Sequence, residues 1–190
     1  MGELPKEDEG QPGSMVCAYV CVLACTHKLQ RTGSAFQDAH RQRRHQEQQR
    51  SFSATLAGLL NEGFTFVGEE IDSNHESVAR GLAVRSGCSY SIIEMPMDER
   101  KENGCPPDYA TLHLVDGSQA DVLRCHRLRE QYMCRSVLEC LSDGQRGLVL
   151  CGNDHAARLR NDLAKVFTNV ELKSLADYPW FDKRLYEWPA

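Results

Sequence analysis

The stretch RGLVLCGNDHAARLRNDL, residues 146–163, contains a strand pattern, a turn and a helix pattern in immediate succession. Its apolar run ends at Gly152, three polar residues ending in His155 follow, and helical spacing then predicts a helix over about 156–167. A continuous apolar run of this length is typical of a strand that is buried on both faces of a sheet. Whether other strands also end in polar residues decides how this stretch is interpreted.

Four other segments have the composition of strands, and helical patterns separate them. The predicted strands are 15–25, 64–68, 88–96, 146–152 and 170–175, and the predicted helices are 52–63, 77–87, 118–141 and 156–167. Alternating strands and helices favour a mostly parallel sheet with helices on both faces. The sequence therefore predicts a three-layer, Rossmann-like α/β fold with a five-stranded sheet.

The composition is that of an ordinary globular domain. The chain has 190 residues, 41% of them hydrophobic and 26% charged, with a net charge of -5. This charge argues against nucleic-acid binding through the overall field of the protein. The nine cysteines form no CxxC pair, so neither a disulfide framework nor a zinc ribbon is indicated, and free thiols in a core suit a cytoplasmic protein.

The ends of the domain are set by changes in composition. Residues 1–14 are polar, acidic and rich in Gly and Pro, which predicts a disordered leader rather than a signal peptide. Residues 15–190 are predicted to form a single α/β domain with no membrane span. Residues 28–50 are basic and are interpreted as a lid or a mobile arm. Contact of 40–50 with nucleic acid is less favoured, since the stretch has no interleaved aromatic residues.

Polar residues follow four of the five predicted strands, and each group contains at least one ionisable side chain. They are Thr26-His27, Glu69-Glu70, Asp98-Glu99-Arg100 and Asn153-Asp154-His155. In open α/β sheets, ligands bind in the crevice outside the carboxyl ends of the strands. We therefore expect a functional crevice at this edge, with Thr26, Asp98, Arg100, Asn153 and Asp154 in contact with the substrate.

Two histidines and a carboxylate at this edge are the residue types that hold a divalent transition metal. We expect His27, His155 and Glu69 to be ligands of zinc or manganese, and Glu70 to act as a general base on metal-activated water. The sequence alone leaves open which of the two glutamates has which role. It also leaves open the simpler interpretation in which each histidine only caps a helix or makes a local hydrogen bond.

Arg129 and Glu130 lie in the middle of the predicted helix 118–141, flanked by apolar residues. An arginine directed into the crevice stabilises negative charge that develops on a substrate. We therefore expect both residues to be catalytic, although surface ion pairs are an equally good interpretation.

The leading functional hypothesis is a metal-dependent hydrolase that acts on a small-molecule or peptide substrate. The sequence contains no GxxxxGK[ST] loop, no GxGxxG and no GxSxG, so it gives no support to a P-loop nucleotidase, a dinucleotide oxidoreductase or a serine hydrolase. The alternative is a non-catalytic module that binds a small anion, a nucleotide or haem in the same crevice.

These motifs resemble those of a known group. A strand ending in Thr-His, a strand ending in GEE, an Arg-Glu-x-x-Met helix and a strand ending in CGxxH are similar to those of small uncharacterised bacterial α/β proteins. These proteins in turn distantly resemble the superfamily of the TraB and Tiki proteins, the ChaN haem-binding proteins and the erythromycin esterases. The resemblance spans about residues 17–175, and the chain departs from the pattern at Ala24, where a glycine is expected.

The resemblance implies a crevice that is lined by His27, Glu69 or Glu70, Arg129 and His155. It also implies an activity among metal-dependent peptide cleavage, ester hydrolysis and haem binding.

Overall fold

The computed structural model describes residues 15–33, 35–105 and 119–186. Its strands are β1 Val16–Cys25, β2 Phe66–Glu69, β3 Ser89–Ile92, β4 Arg146–Gly152 and β5 Phe167–Ser174. Its α-helices are α1 His27–Gln30, α2 Ala39–Leu60, α3 Val78–Arg85, α4 Met97–Glu102, α5 Gln119–Cys140 and α6 Asn153–Leu163. The predicted leader 1–14 lies outside the described residues.

The five strands form one parallel sheet in the order β3-β2-β4-β1-β5. This confirms the predicted α/β fold. In the register of the sheet, Cys25 lies beside Gly152 and Glu69 lies beside Leu150. The residues that follow β1, β2 and β4 therefore meet at a single edge of the sheet.

The helices cover both faces of the sheet because the strands are apolar on both faces. Leu23 and Leu150 pack against α2 and α3, whereas Val22 and Val149 pack against α5 and α6. Neighbouring residues of one strand thus enter opposite cores, as the alternation of side chains along a strand requires. The chain leaves β1 and β2 towards one layer and β3 and β4 towards the other, which opens a crevice between the loops.

Helix α2 contains most of the basic segment. Asp38 caps its N-terminus by accepting a hydrogen bond from the backbone N–H of Arg41. Arg41 also donates to the carbonyl of Leu185, and Arg44 forms an ion pair with Asp182. The basic face of α2 is therefore in contact with the C-terminal segment of the domain.

Two helix ends and one helix start show how local chemistry sets the boundaries. Gly63 and Gly144, which follow α2 and α5, have φ values of 89° and 77°, a left-handed conformation that glycine adopts at low cost. Helix α6 begins at Asn153, directly after β4 and about three residues earlier than predicted. The earlier start places His155 in the first turn, where it is 3% exposed.

In the described ranges, no helix is both long enough and apolar enough to cross a membrane.

Candidate functional site

Glu70 is the centre of the site. It follows β2 and is completely buried. Its Oε2 accepts a hydrogen bond of 2.7 Å from the backbone N–H of Gly152, and its Oε1 accepts one of 2.6 Å from Arg129. The same Oε1 lies 3.7 Å from Nε2 of His27 and 3.5 Å from Nε2 of His155. One carboxylate thus connects residues from β2, β4, α1, α5 and α6.

Glu69 points in the other direction, because successive residues at the end of a strand face opposite sides of the sheet. Its Oε2 accepts hydrogen bonds from the hydroxyl groups of Ser77 and Tyr90. Its Oε1 is buried and has no hydrogen-bond partner in the part of the chain that is described. Burial raises the pKa of Glu69 to about 7. The structure therefore brings Glu70, and not Glu69, together with the two histidines.

Arg129 holds the site together from α5. It is 5% exposed, and it donates to Glu70 and to both oxygens of Glu94. Burial alone would raise the pKa of Glu94, but the hydrogen bonds and charge of Arg129, together with the charge of Arg100, lower it below the ordinary range. Arg129 is thus a buried cation shared by two carboxylates.

Sequence reasoning did not select Glu94. Its signal is weak but present, since it is the single charged residue in the otherwise apolar or uncharged run CSYSIIEMP.

His155 is buried, and both of its ring nitrogens are engaged. Its Nδ1 lies 3.1 Å from Oε1 of the buried Glu130. Its Nε2 lies 3.1 Å from Nη1 of Arg129. Because a guanidinium only donates hydrogen bonds, Nε2 of His155 is the acceptor and Nδ1 carries the proton. The lone pair on Nε2 of His155 is therefore occupied by the hydrogen bond from Arg129.

His126 is a further member of the site that the sequence did not indicate. Its Nδ1 lies 3.4 Å from Nε2 of His155. Burial and the nearby His155 lower the pKa of His126. A half-buried imidazole beside His155 therefore favours the neutral form. No pattern in the sequence relates a residue at 126 to one at 155, because the contact forms between α5 and α6.

His27 differs from His155 in its exposure and in its tautomer. Its side chain is 43% exposed, and its Nδ1 lies 2.8 Å from Oε1 of the buried Gln30. The orientation of the Gln30 amide follows from its NH₂ group, which donates to the backbone oxygen of Glu70 at 3.3 Å. An amide oxygen only accepts, so Nδ1 of His27 carries the proton and Nε2 presents its lone pair.

Gly152 allows His27 to lie close to the start of α6. A Cβ atom at position 152 would be 3.1 Å from Nε2 of His27 and 3.5 Å from Oε2 of Glu70. Gly152 is also the N-cap of α6, where no side chain caps the helix. The first-turn N–H groups of a helix have no acceptor within the helix. Nε2 of His27 therefore lies beside the start of α6, which is the positive end of the helix dipole.

The other predicted substrate-binding residues occupy different positions. Asn153 and Asp154 are exposed in the first turn of α6, and Thr26 is half-buried at the start of α1. Asp98 is exposed on α4. Arg100 is 5% exposed and lies 3.0 Å from Oε1 of Glu94, so it belongs to the buried network.

The donor set does not fit the predicted zinc or manganese ion. The guanidinium of Arg129 lies against Oε1 of Glu70 and Nε2 of His155, which are the atoms that would bind a metal. Glu69, the third predicted ligand of the set with His27 and His155, is directed at Ser77 and Tyr90 instead. Within the described residues, no three His, Cys, Asp or Glu side chains are grouped so that they could hold a metal ion. A fixed organic cation thus takes the position that the metal hypothesis required.

The fold and the site together define an α/β protein with a buried carboxylate–arginine network and a half-exposed histidine at the carboxyl edge of the sheet. Comparison with known proteins finds no matching family model, no matching curated protein and no matching solved structure. The resemblance to the TraB, ChaN and erythromycin-esterase superfamily stays a prediction from the motifs.

Proposed function

We propose that this protein is a hydrolase in which His27 acts as the general base on water at the carboxyl edge of the sheet. The observation that carries the proposal is the position of its Nε2. This nitrogen is on a half-exposed side chain, has its lone pair available through the bond of Nδ1 to Gln30, and lies 3.7 Å from the buried Glu70. An imidazole with one nitrogen unprotonated, and with the opposite N–H held by an acceptor, is an arrangement that general-base catalysis uses.

Glu70 stabilises the imidazolium that forms when His27 takes a proton. Unit charges about 4 Å apart attract each other by about 1 kcal/mol in water and about 4 kcal/mol at a protein surface. In the buried set, Glu70 and Glu94 share the guanidinium of Arg129, and Glu94 is also paired with Arg100. A proton on His27 therefore adds a positive charge beside a carboxylate that shares its guanidinium partner with a second carboxylate.

The reaction follows from this geometry. The water oxygen bonds to the carbonyl carbon of an ester or amide as its proton passes to Nε2 of His27. The negative charge that develops on the carbonyl oxygen is stabilised by the N–H groups at the start of α6. The bond from the carbonyl carbon to the leaving group then breaks, and the leaving group takes the proton from His27. No step uses a metal ion.

Arg129, Glu130 and His155 act as positioning residues in this proposal. Arg129 fixes the carboxylate of Glu70, and Glu130 fixes the tautomer of His155. Asn153 and Asp154, exposed beside the first turn of α6, are placed to contact the substrate.

The proposal is tested with the p-nitrophenyl esters of acetate and butyrate and with the p-nitroanilides of the same acids. We expect the wild-type protein to hydrolyse at least one of these compounds. The His27→Ala variant should lower kcat/KM by at least about 100-fold, since a general base contributes roughly 100- to 10,000-fold. The melting temperature of each variant shows whether it has folded.

The matched control is His40→Ala, which removes an exposed histidine of α2. It should leave kcat/KM unchanged, and so distinguishes the site from hydrolysis of activated esters by surface histidines. Hydrolysis should also persist when EDTA is added. The proposal is wrong if the wild type hydrolyses none of the compounds, if a folded His27→Ala variant keeps the wild-type rate, or if EDTA abolishes the activity.

A further inference from the structure

A cavity of about 360 Å³ adjoins the site at the carboxyl ends of β2 and β3. It begins at Ile71, the residue directly after Glu70, and Glu94 and Arg100 form part of its wall. The cavity and the proposed catalytic residues are therefore joined through Glu94, Arg129 and Glu70.

The wall of the cavity combines an apolar surface with a polar one. The apolar part consists of Ile71, Ile92, Met95, Pro96, Met97 and Tyr132. Met97 is 40% exposed and lies at the border of the cavity. Small-molecule sites are largely apolar concavities with a few polar groups that fix the orientation of the ligand.

Arg100 supplies one such polar group. Its Nε donates to the carbonyl of Met95 at 2.8 Å, and its Nη2 lies 3.0 Å from Glu94 and 3.5 Å from Asp72. Arg100 lines the cavity, so a carbonyl or hydroxyl oxygen of a ligand there can accept a hydrogen bond from its guanidinium.

The charges around the cavity are balanced without a ligand. Glu94 is paired with Arg129 and Arg100, and Asp72 is paired with Arg31 and Arg100. A ligand with a net charge would therefore leave one charge uncompensated in a partly buried space, which is costly. A cavity of this volume holds roughly a dozen non-hydrogen atoms, at about 30 Å³ for a group the size of a water molecule.

We propose that this cavity binds the uncharged, largely apolar portion of the substrate, with a carbonyl or hydroxyl oxygen that accepts a hydrogen bond from Arg100. The ligand class is thus a medium-chain acyl group or a single-ring amide or ester rather than a free acid or an amine. The assignment rests on the proposed hydrolase function for its place in the reaction, but the binding itself does not require turnover.

The test uses three probes with the same alkyl chain and different charge: hexanamide, hexanoate and hexylammonium. Isothermal titration of the full chain should show that hexanamide binds at least about tenfold more tightly than either charged probe, a difference of about 1.4 kcal/mol. Tighter binding of hexanoate or hexylammonium, or no binding of hexanamide, would overturn the assignment.

A pair of variants locates the binding. The Met97→Asp variant adds a charge at the border of the cavity and should weaken hexanamide binding at least about tenfold, since a charge in a partly buried apolar site is unfavourable. The control is Leu138→Asp, at a residue of α5 that is 38% exposed and outside the cavity wall. Equal binding by wild type and the Met97→Asp variant would place the ligand elsewhere and overturn the assignment.

The two proposals fail in different ways. Selective binding of hexanamide without hydrolysis of any test compound supports the cavity assignment and contradicts the hydrolase. Hydrolysis that depends on His27, without hexanamide binding, supports the hydrolase and contradicts the cavity assignment.

Discussion

At the scale of the residue, Gly152 is the position where the sequence and the proposed chemistry meet most closely. Its φ is -61°, so alanine fits the backbone there without strain. The atoms nearest to such a side chain are Nε2 of His27 and Oε2 of Glu70. Gly152→Ala should therefore move His27 away from Glu70 and lower kcat/KM at least about tenfold, while the protein still folds.

The control for this change is Gly58→Ala, in the last turn of α2, where an added Cβ would meet no atom within 4 Å. It should raise the free energy of unfolding by about 0.5–1 kcal/mol, since alanine favours a helix over glycine, and leave catalysis unchanged. The ester assay and urea denaturation measure both quantities. An unaltered kcat/KM in a folded Gly152→Ala variant would show that the contact with His27 has no role in catalysis.

Glu69 gives a prediction for the dependence of stability on pH. Burial raises its pKa from 4.5 to about 7 in the folded protein. Between these two values the folded state holds a proton that the unfolded state has lost. The free energy of unfolding therefore falls as the pH rises from about 4.5 through about 7, by an amount on the order of 3 kcal/mol for a shift of this size.

The Glu69→Gln variant keeps the acceptor for Ser77 and Tyr90 but cannot ionise. Its stability should fall less than that of the wild type between pH 5 and pH 8. Urea denaturation at a series of pH values measures the two slopes. Identical slopes would mean that Glu69 is not responsible for this dependence.

The sequence indicated the residues of the site better than their roles. It selected Glu69 and Glu70 together, because the direction of a side chain at a strand end changes with each residue. Only the position of β2 in the folded sheet shows that Glu70, and not Glu69, faces the histidines. The sequence missed Glu94 and His126 because their contacts with Arg129 and His155 are made between elements that are far apart in the chain.

At the scale of the element, α5 is both a core helix and the support of the site. Met133 and Val137 are fully buried against the sheet, and one turn earlier the helix directs Arg129 at Glu70 and Glu94. The residues of α5 that pack in the core and the residue that supports the site therefore lie on one face of the helix.

Removing the charge of Arg129 should therefore destabilise the whole domain. The Arg129→Met variant leaves Glu70 and Glu94 buried near each other with less compensation, and we expect a loss of about 3–5 kcal/mol, as for other broken buried pairs. The control on the same helix is Arg135→Met, whose side chain is 61% exposed and lies 3.8 Å from Glu99. That change should cost less than about 1 kcal/mol.

Urea denaturation at constant pH compares the two variants. Similar small losses for both would contradict the view that Arg129 is the cation on which the buried network depends.

Apolar content predicted that the elements exist, but not where they end. The run 88–96 suggested a long third strand, whereas β3 ends at Ile92, and the backbone beyond it brings Glu94 to Arg129 and Met95 to the cavity wall. Likewise, α6 begins early because Gly152 serves as its N-cap. These boundaries depend on tertiary contacts that periodicity does not contain.

At the scale of the whole molecule, the alternation of strands and helices was sufficient to predict the parallel sheet, because crossover connections place helices on its faces. The strand order was not predictable from the pattern. The insertion of β4 between β1 and β2 brings Gly152 and His155 to the same edge as His27 and Glu70.

The distribution of the nine cysteines tests this architecture. Cys17 and Cys140 are exposed and Cys134 is half-buried, whereas the other six are buried and all nine are free thiols. A thiol reagent should label Cys17 and Cys140 rapidly in the native protein and all the cysteines after unfolding in guanidinium chloride, because burial hinders access and raises the pKa of thiols such as Cys25 and Cys151. Rapid labelling of Cys25 or Cys151, identified by mass spectrometry, would contradict the buried β1–β4 pair.

The central claim is that the fold presents His27 as an available base, with the proton on Nδ1 and the lone pair on Nε2. The most direct measurement is a long-range ¹H–¹⁵N correlation spectrum of the histidine side chains at about pH 8, with His27 assigned by comparison with His27→Ala. We expect a His27 ring protonated at Nδ1 and unprotonated at Nε2, and loss of this preference in the Gln30→Leu variant. A wild-type His27 that carries its proton on Nε2 would contradict the account, because the nitrogen that faces Glu70 and the start of α6 could not then accept a proton from water.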